Sequence, residues 1–351
     1  MLTNELEYQR LFTEIVGRQE SQLLKDIDLQ NYFSDSRILI IGAGGSIGSA
    51  LARRLTSANL KNIFFLDRDE SALHGLALNL SDEAASHSEK CFIADIRDSQ
   101  SIKDVIVMVR PTIVIHAAAL KHLVMLERFP REAFLTNIIG TLNVAKLCVE
   151  LEVEQFVNIS TDKAANPTSI LGKTKKLAEL ITEEVFTNTG LKQCSVRFGN
   201  VFASRGSVIE TFIHQISNKL PVTITDTQVA RFFMSHNEAA NLVLAAASLK
   251  ENGIYIQNMG QEVPIIDVVH RIGKNLNLKP IIKVIGLQKG EKMHEDLDDG
   301  PTLATKFESI SRSVHSIKGG LVKDADQIIP ANNSEALAII DALTLKYFRK
   351  L

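Results

Sequence analysis

Short apolar runs recur along the first 200 residues, separated by polar stretches of helical length. Arg37 to Ile41 (Arg-Ile-Leu-Ile-Ile) reads as a buried strand, and Asn62 to Leu66, ending in Asp67, reads as a second. Similar runs at 90–93, 112–116, 155–159 and 194–198 complete a series of strands near 37–41, 62–67 and these four positions, with helices between. That alternation predicts a parallel sheet covered by helices on both faces, with ligand at the C-terminal ends of the strands.

After residue 200 the pattern breaks into shorter pieces: 207–220, 222–224, 236–250, 254–257, 264–276 and 281–285. This region is expected to cap the open edge and close over the distal part of a ligand. Before the first strand, Leu6, Leu11, Ile15 and Val16, then Leu23, Leu24, Ile27 and Leu29, are spaced as on helices. They predict a helical preface packed on the main domain. A final amphipathic helix is expected over 334–349. The predicted fold is therefore α/β, a Rossmann-type doubly wound parallel sheet with a smaller C-terminal substrate-binding lobe and an N-terminal helical extension. Its expected divisions are 1–36, 37–200, 201–330 and 331–351.

The first strand runs directly into Gly42-Ala43-Gly44-Gly45-Ser46-Ile47-Gly48, and Leu51 to Leu55 continues as helix. Gly42, Gly45 and Gly48 permit a tight turn, close approach to a pyrophosphate, and close packing of helix on strand, while Ser46 and Ile47 open a helix whose N-terminus faces the phosphates. Asp67 lies about 20 residues on, where a carboxylate accepts a hydrogen bond from a ribose 2′-hydroxyl. It repels a 2′-phosphate, which favours NAD over NADP, although Arg68 stands beside it. Asp95-Ile96 and His116-Ala117-Ala118-Ala119 fall at the ends of the third and fourth strands, where small residues let a cofactor lie against backbone. His116 reads as a satisfied strand-end histidine.

The fifth strand ends in Ser160-Thr161-Asp162-Lys163-Ala164, and Pro167, with Thr168 or Ser169 as N-cap, opens a helix carrying Leu171-Gly172-Lys173-Thr174-Lys175. Leu171 and Lys175 are four residues apart and share a helix face. A strand end and a helix face thus bring a hydroxyl, a carboxyl and two ammonium groups together.

Composition narrows the class. A net charge of −2 and the lack of an extended basic run argue against nucleic acid or an anionic membrane surface as partner. The cysteines at 91, 148 and 194 are too scattered for a disulfide framework or a CxxC metal site, so they read as core residues in a reducing compartment and no metal is expected. No stretch is long and apolar enough to span a bilayer, and the N-terminus lacks a signal pattern, so the expectation is a cytoplasmic protein without an anchor.

From about Glu14 to Ser311 the chain resembles extended short-chain dehydrogenase/reductases, and within them the polysaccharide-biosynthesis 4,6-dehydratases of UDP-N-acetylglucosamine. The resemblance rests on Gly42 to Gly48, Ala117 to His122, Ser160 to Ala164, Asn166-Pro167-Thr168, Val196 to Val201, Ser204 to Ile209, Arg231 to Met234 and Gly286 to Lys292. It extends to Val16-Gly17-Arg18 and Ile27-Asp28-Leu29, which look like the segment joining a membrane anchor to the catalytic domain in long members; this chain looks like a soluble short form. The family's usual Tyr-x-x-x-Lys is missing its phenol: Leu171 stands there, and none of Tyr8, Tyr32, Tyr255 and Tyr347 has a lysine four residues on. The configuration-retaining branch carries methionine at this place, so an apolar residue points to retention at C5.

The resemblance implies a cycle in which hydride leaves C4 of the sugar for NAD, water is lost across C5 and C6, and hydride returns to C6. Lys163, if neutral, matches the base at C5, Asp162, if protonated, the acid at O6, Thr161 orients O4, and Lys175 holds the nicotinamide ribose. The group that takes the O4 proton is left between Thr161 through water and Asp162. Arg205 and Arg231 suit the diphosphate and Asn200 a phosphate or sugar contact, with Lys121 and Glu291, from the same motifs, also counted toward the substrate. The implied partner is a UDP-linked amino sugar. Helices 136–151 and 169–188 resemble the family's dimer-forming pair, which implies a homodimer or larger homo-oligomer. A C4 epimerase or reductase shares the cofactor site without needing the Asp162–Lys163 pair, and a non-catalytic NAD-binding scaffold is the reading from another class.

Overall fold

The computed structural model describes residues 5–21, 28–80, 89–313 and 319–348. Leu23, Leu24 and Ile27, and the end of the last predicted helix, lie outside the described residues. After α1 (Glu5–Val16) and α2 (Leu29–Phe33), the chain alternates as β1 (Ile38–Ile41), α3 (Ser46–Ser57), β2 (Ile63–Asp67), α4 (Glu70–Leu80), β3 (Cys91–Ile93), α5 (Ser99–Val109) and β4 (Ile113–His116). There follow α6 (Leu123–Arg128) and α7 (Pro130–Ala133), which runs through a π-helical segment (Phe134–Gly140) into α8 (Thr141–Glu150). Then come β5 (Gln155–Ile159), a 3₁₀ turn (Asp162–Ala164), α9 (Ile170–Phe186) and β6 (Lys192–Arg197).

Each strand forms because its apolar run is buried on both faces; Ile38 to Ile41 of β1 are all within 1% of full burial. From β3 to β6 the strand order is 3-2-1-4-5-6, all parallel, with Ile41 beside both Leu66 and His116 and Ile159 beside Val196. This is a doubly wound Rossmann-type sheet. The order reverses between β1 and β4, and there the loops diverge to leave a crevice for a ligand.

The division expected near residue 200 is crossed by the sheet. The remaining elements are β7 (Asn200–Val201), α10 (Val208–Ser217), β8 (Val222–Ile224), β9 (Ala230–Arg231), β10 (Phe233–Met234), α11 (His236–Leu249), β11 (Gly253–Gln257), β12 (Val263–Pro264), α12 (Ile265–Asn275), β13 (Ile282–Val284), β14 (Thr302–Ala304), β15 (Ile310–Ser313), α13 (Leu321–Asp326) and α14 (Asn333–Tyr347). Of these, β11 joins β6 in parallel, and β15 and β14 extend the edge antiparallel. The alanine-rich α11 packs into the sheet's core beside α3. The smaller lobe is built on the short pairs β7–β10, β8–β13 and β9–β12 with α10 and α12. The preface α1 packs on that lobe: Phe12, Ile15 and Val16 are buried with Phe202, Phe212 and Val268.

The helix pair expected to carry a dimer has its outer face covered by the chain's own C-terminus. Leu321, Ala325, Ile340 and Leu343 pack with Leu177, Leu180 and Ile181 of α9. Polar contacts pin the cover at both ends: Glu184 accepts the Gly320 and Leu321 amides, Lys173 pairs with Asp341 at 2.7 Å, and Lys146 pairs with Asp326 at 2.8 Å. A second copy docking on this face would have to displace α13 and α14.

Candidate active site

The crevice beyond β1 is built by the glycine turn. Gly42 and Ala43 donate to the Leu66 carbonyl at 2.7 and 3.0 Å, which folds the chain back at φ +84° for Gly42. A Cβ there would stand 2.5 Å from the Ala118 nitrogen, so a side chain would force apart the two strand ends that form the cradle. The turn delivers the first amides of α3 to the crevice. Asp67 accepts the Gly44 amide at 2.9 Å and the Asp69 amide at 3.0 Å, which fixes its carboxylate at the rim. Gly42, Gly45, Ser46, Ile47, Gly48, Asp67, Arg68, Asp95, Ile96, Ala117, Ala118 and Ala119 line a cavity of about 390 Å³, as do Lys121 and Arg205. Its bare backbone, helix N-terminus and rim carboxylate fit an extended dinucleotide.

A second cavity, about 330 Å³, adjoins the first and shares Ser46, Ile47, Ala117, Ala119 and Lys121 with it. Thr161, Lys163, Leu171, Lys175 and Asn200 line it beside Ile159, Phe198, Val201 and Phe233. Asp162 does not line it. That carboxylate is wholly buried behind the wall, where Oδ1 accepts Thr161 Oγ1 at 2.8 Å and Lys163 Nζ at 2.9 Å, and Oδ2 has no partner among the described residues. An acid delivering a proton to O6 from this position would have to act through Thr161 or Lys163.

Lys163 departs from its expected neutral state. Burial alone would lower its pKa, but Asp162 and Glu295, the latter 3.4 Å from Nζ, more than offset this and hold it above the ordinary lysine value. The cavity wall therefore presents an ammonium, 17% exposed, with Asn200 Oδ1 as a further acceptor at 3.3 Å.

Lys175 is the contrasting case. It is 4% exposed and no described group accepts a hydrogen bond from it, so burial lowers its pKa to about 8, with Glu179 raising it against that trend. The neighbouring His116 is pushed to about 3 by burial and then by Lys175. Its Nε2 is 3.1 Å from Thr141 Oγ1, which itself donates to the Asn137 carbonyl, so the imidazole is neutral with its proton on Nε2. Leu171 is 5% exposed and joins the apolar cluster of α9.

Arg231 and Glu291 line neither cavity. Arg231 is 5% exposed, and its guanidinium is spent on Glu291 at 3.2 Å and on the carbonyls of Ala230, Lys292 and Met293. It braces the 286–299 segment. Arg205 is exposed at the dinucleotide cavity, 3.4 Å from Asp69.

A family model described as polysaccharide biosynthesis protein matches residues 38–314. The chain belongs to this family, extended short-chain dehydrogenase/reductases that act on nucleotide sugars. The "Uncharacterized membrane protein MJ1061" of Methanocaldococcus jannaschii is 41% identical over 77% of this chain and 82% of its own length. The "Capsular polysaccharide biosynthesis protein CapD" of Staphylococcus aureus is 36% identical over 85% of this chain, which spans 51% of CapD. A "UDP-glucose 4-epimerase" of Rickettsia typhi is 35% identical over 78% of this chain and 80% of its own. Among solved structures, that of "Pen from Bacillus thuringiensis" superposes with a TM-score of 0.68 at 32% identity, over 76% of this chain and 83% of Pen. No described helix is long and apolar enough to cross a membrane.

The site has four features that the sequence motifs did not announce. Glu295 stands behind Lys163. Gly172 lets α9 pass the catalytic loop: a Cβ there would meet the Lys163 carbonyl at 2.2 Å. Behind both, Arg197 donates to Glu179 at 2.7 and 2.8 Å and to Asp299 at 2.9 Å, Lys176 donates to Asp299 at 2.7 Å, and Ser160 donates to Glu179 at 2.6 Å. This buried network ties the ends of β5 and β6, α9 and the 297–299 loop together; removing one charge of such a set typically costs about 3–5 kcal/mol. Asn137, in the π-helical segment, brackets Leu120 through both its amide and carbonyl at 2.8 and 3.0 Å, which fixes the cavity's upper wall.

Proposed function

We propose that the protein is an NAD-dependent 4,6-dehydratase that converts UDP-N-acetylglucosamine to its 4-keto-6-deoxy product with retention at C5, for surface-glycan or modified-sugar biosynthesis. The observation that carries this reading is the hydrogen-bonded Thr161–Asp162–Lys163 unit, with Thr161 and Lys163 on the wall of a cavity that adjoins the dinucleotide crevice and Asp162 buried behind them. NAD, when bound, supplies a reversible store for one hydride; Gly42, Gly45, Asp67 and Lys175 would hold it.

The chain's own residues then manage protons. Thr161 already donates to Asp162, so the two candidates for the O4 proton form a single relay: O4 passes its proton to Thr161 Oγ1 as Thr161 passes its own to Asp162. With C4 oxidised, the C5 proton is acidic. Of the Asp162–Lys163 pair, Lys163 is the one that faces the cavity, so it serves both ends of the elimination once it has lost a proton. Its amine takes the C5 proton, the C5–H electron pair forms the C5–C6 double bond, and O6 departs as water with the proton from Nζ. Once C6 is reduced, the proton that the O4 step left on Asp162 passes through Lys163 to C5 on the same face, which restores the C5–H bond and the Asp162 carboxylate. Leu171 supplies an apolar wall where a phenol would otherwise act. Lys121, Asn200 and Arg205 are proposed substrate contacts, and Arg231 and Glu291 act on that side only by bracing the 286–299 segment.

The test is mass spectrometry after incubation with UDP-N-acetylglucosamine: loss of one water, with hydrogen moving from C4 to C6 and no net NADH. Steady NADH release in step with product would replace the dehydratase reading with a simple dehydrogenase. The relative named as a 4-epimerase supports a second reading, which predicts a product of unchanged mass.

Leu171 gives an independent check. The wild type is expected to be active, and Leu171→Ala to loosen packing on the nicotinamide or sugar. Inactivity of the wild type on both UDP- and GDP-linked N-acetylglucosamine, with activity restored by Leu171→Tyr, would mean instead that the site decayed by losing its phenol.

A further inference from the structure

Glu295 is brought to the active site from a segment far in sequence from the catalytic loop. Its side chain is 3% exposed. Oε1 lies 3.4 Å from Lys163 Nζ and 3.9 Å from Arg231 Nε, and Oε2 is buried with no partner among the described residues. Asp162 repeats this arrangement from the other side of Lys163, with Oδ1 engaged and Oδ2 unpartnered. One ammonium thus sits between two buried carboxyls, each with a free oxygen. A salt bridge built only for stability would be expected to satisfy those oxygens.

The segment is held firmly. Lys292 donates to the Ala165 carbonyl at 2.9 Å, Thr168 donates to the Gly290 carbonyl at 2.8 Å, and the Glu295 amide donates to Glu262 at 3.1 Å. The charged groups facing Glu295 are Lys163 and Asp162 from the catalytic loop, Arg231 from β9, and Lys292 on its own segment. Glu262 is engaged by the Glu295 amide and by His294. Burial, together with Asp162, raises the Glu295 pKa against the pull of the three cations.

We propose that Glu295 is a positioning residue that sets the protonation state of Lys163 by exchanging a proton with it. The step is neutral overall: an N–H bond of the Lys163 ammonium breaks, an O–H bond forms on the Glu295 carboxylate, and the electron pair stays on Nζ, where rotation about Cε–Nζ turns it from Glu295 toward the cavity. No charge enters or leaves the wall, and Asp162 keeps its hydrogen bonds to Thr161 and the amine. The proposal rests on Lys163 being the proton-transfer group of the dehydration. It supplies what that chemistry lacks, a route from the ammonium in the structure to the amine the C5 step needs.

The experiment titrates Lys163 directly. Trace acetic anhydride is applied to the full-length protein over a pH series, and the Lys163 peptide is quantified by mass spectrometry against exposed Lys219 in wild type, Glu295→Gln and Glu295→Asp. Wild-type Lys163 is expected to label with a midpoint above that of Lys219. Glu295→Gln, which preserves shape, should lower the midpoint by about one unit or more, and Glu295→Asp should retain most of it. Turnover of Glu295→Gln on UDP-N-acetylglucosamine should fall about tenfold or more in kcat with KM little changed, and its pH profile should shift in the same direction. An unchanged midpoint in a folded Glu295→Gln protein overturns the proposal even if dehydration is observed. A shifted midpoint in a protein that dehydrates nothing upholds the Glu295–Lys163 coupling and removes the dehydratase reading instead.

Discussion

Replacing Lys163 with methionine is expected to lower dehydration at least about a hundredfold, the usual worth of a positioned proton-transfer group. The same variant should bind NAD with near-native affinity, because Lys163 lines the inner cavity and not the dinucleotide crevice. Methionine keeps the length of the side chain, so the cavity retains its shape. What changes is charge: Asp162 and Glu295 lose the ammonium between them, and two buried carboxyls are left facing one another. Removing one partner of a buried ion pair typically costs about 3–5 kcal/mol, so a lower Tm is expected as well. The double variant Lys163→Met/Glu295→Gln separates the two effects, since it relieves the carboxylate repulsion without restoring an amine. It should recover much of the Tm and none of the turnover. Measured by kcat, NAD-induced fluorescence quenching and thermal melts, a near-normal rate in the single variant would remove Lys163 from the chemistry.

The parts of this site that were legible in the sequence are those whose signal is local. A buried parallel strand must be apolar throughout, so β1, β2, β4 and β5 stand out as runs, and a ligand site at their ends follows from the topology. The glycine turn, Asp67 and the Ser160–Lys163 loop are set by residues close to one another in the chain. Glu295 was not legible because its signal is opposite to its placement. Glu295-Asp296-Leu297-Asp298-Asp299 reads as a solvated acidic run, yet Glu295 and Asp299 are buried, held by Lys163, Arg197 and Lys176 from elements more than 100 residues away. Nothing in a local pattern reports a distant counter-ion. The same reason hides the packing of Arg231, whose partners are the Glu291 carboxylate and the carbonyls of Ala230, Lys292 and Met293.

The edge of the sheet at β14 and β15 failed to announce itself for a different reason, although the run at 254–257 marks β11. β14 and β15 form the antiparallel edge, where β14 is exposed at every position and β15 is buried only at its two ends, and Thr302–Ala304 and Ile310–Ser313 carry too few apolar residues to read as strands. The covered face of α9 belongs with these. Leu177, Leu180 and Ile181 make a stripe that requires a partner, but the stripe does not say whether the partner is a second copy or the chain's own α14.

Substituting Lys175 with methionine should raise the stability of the ligand-free protein at pH 7 by up to about 3 kcal/mol and abolish turnover. Lys175 has no hydrogen-bond partner among the described residues, and its pKa of about 8 in the fold lies below its ordinary 10.5. A gap of about 2.5 units, at 1.36 kcal/mol per unit, gives the upper figure. The sign follows from proton counts. Below pH 8 the folded and unfolded chains both carry the proton, and the fold bears the whole cost of a buried charge. Between pH 8 and 10.5 the unfolded chain still holds a proton that the folded one has released, so wild-type stability rises with pH. Above 10.5 neither form is charged and the cost has vanished. The gain from Lys175→Met should therefore be largest at and below pH 7, shrink through the window from 8 to 10.5, and disappear beyond it. Chemical denaturation of the ligand-free wild type and variant at pH 7, 9 and 10.5 measures this directly. A variant less stable than wild type at pH 7 would mean that Lys175 has a structural partner that offsets its burial. The expected outcome, more stable and inactive, marks Lys175 as a charge kept in the fold at a cost because the ligand requires it.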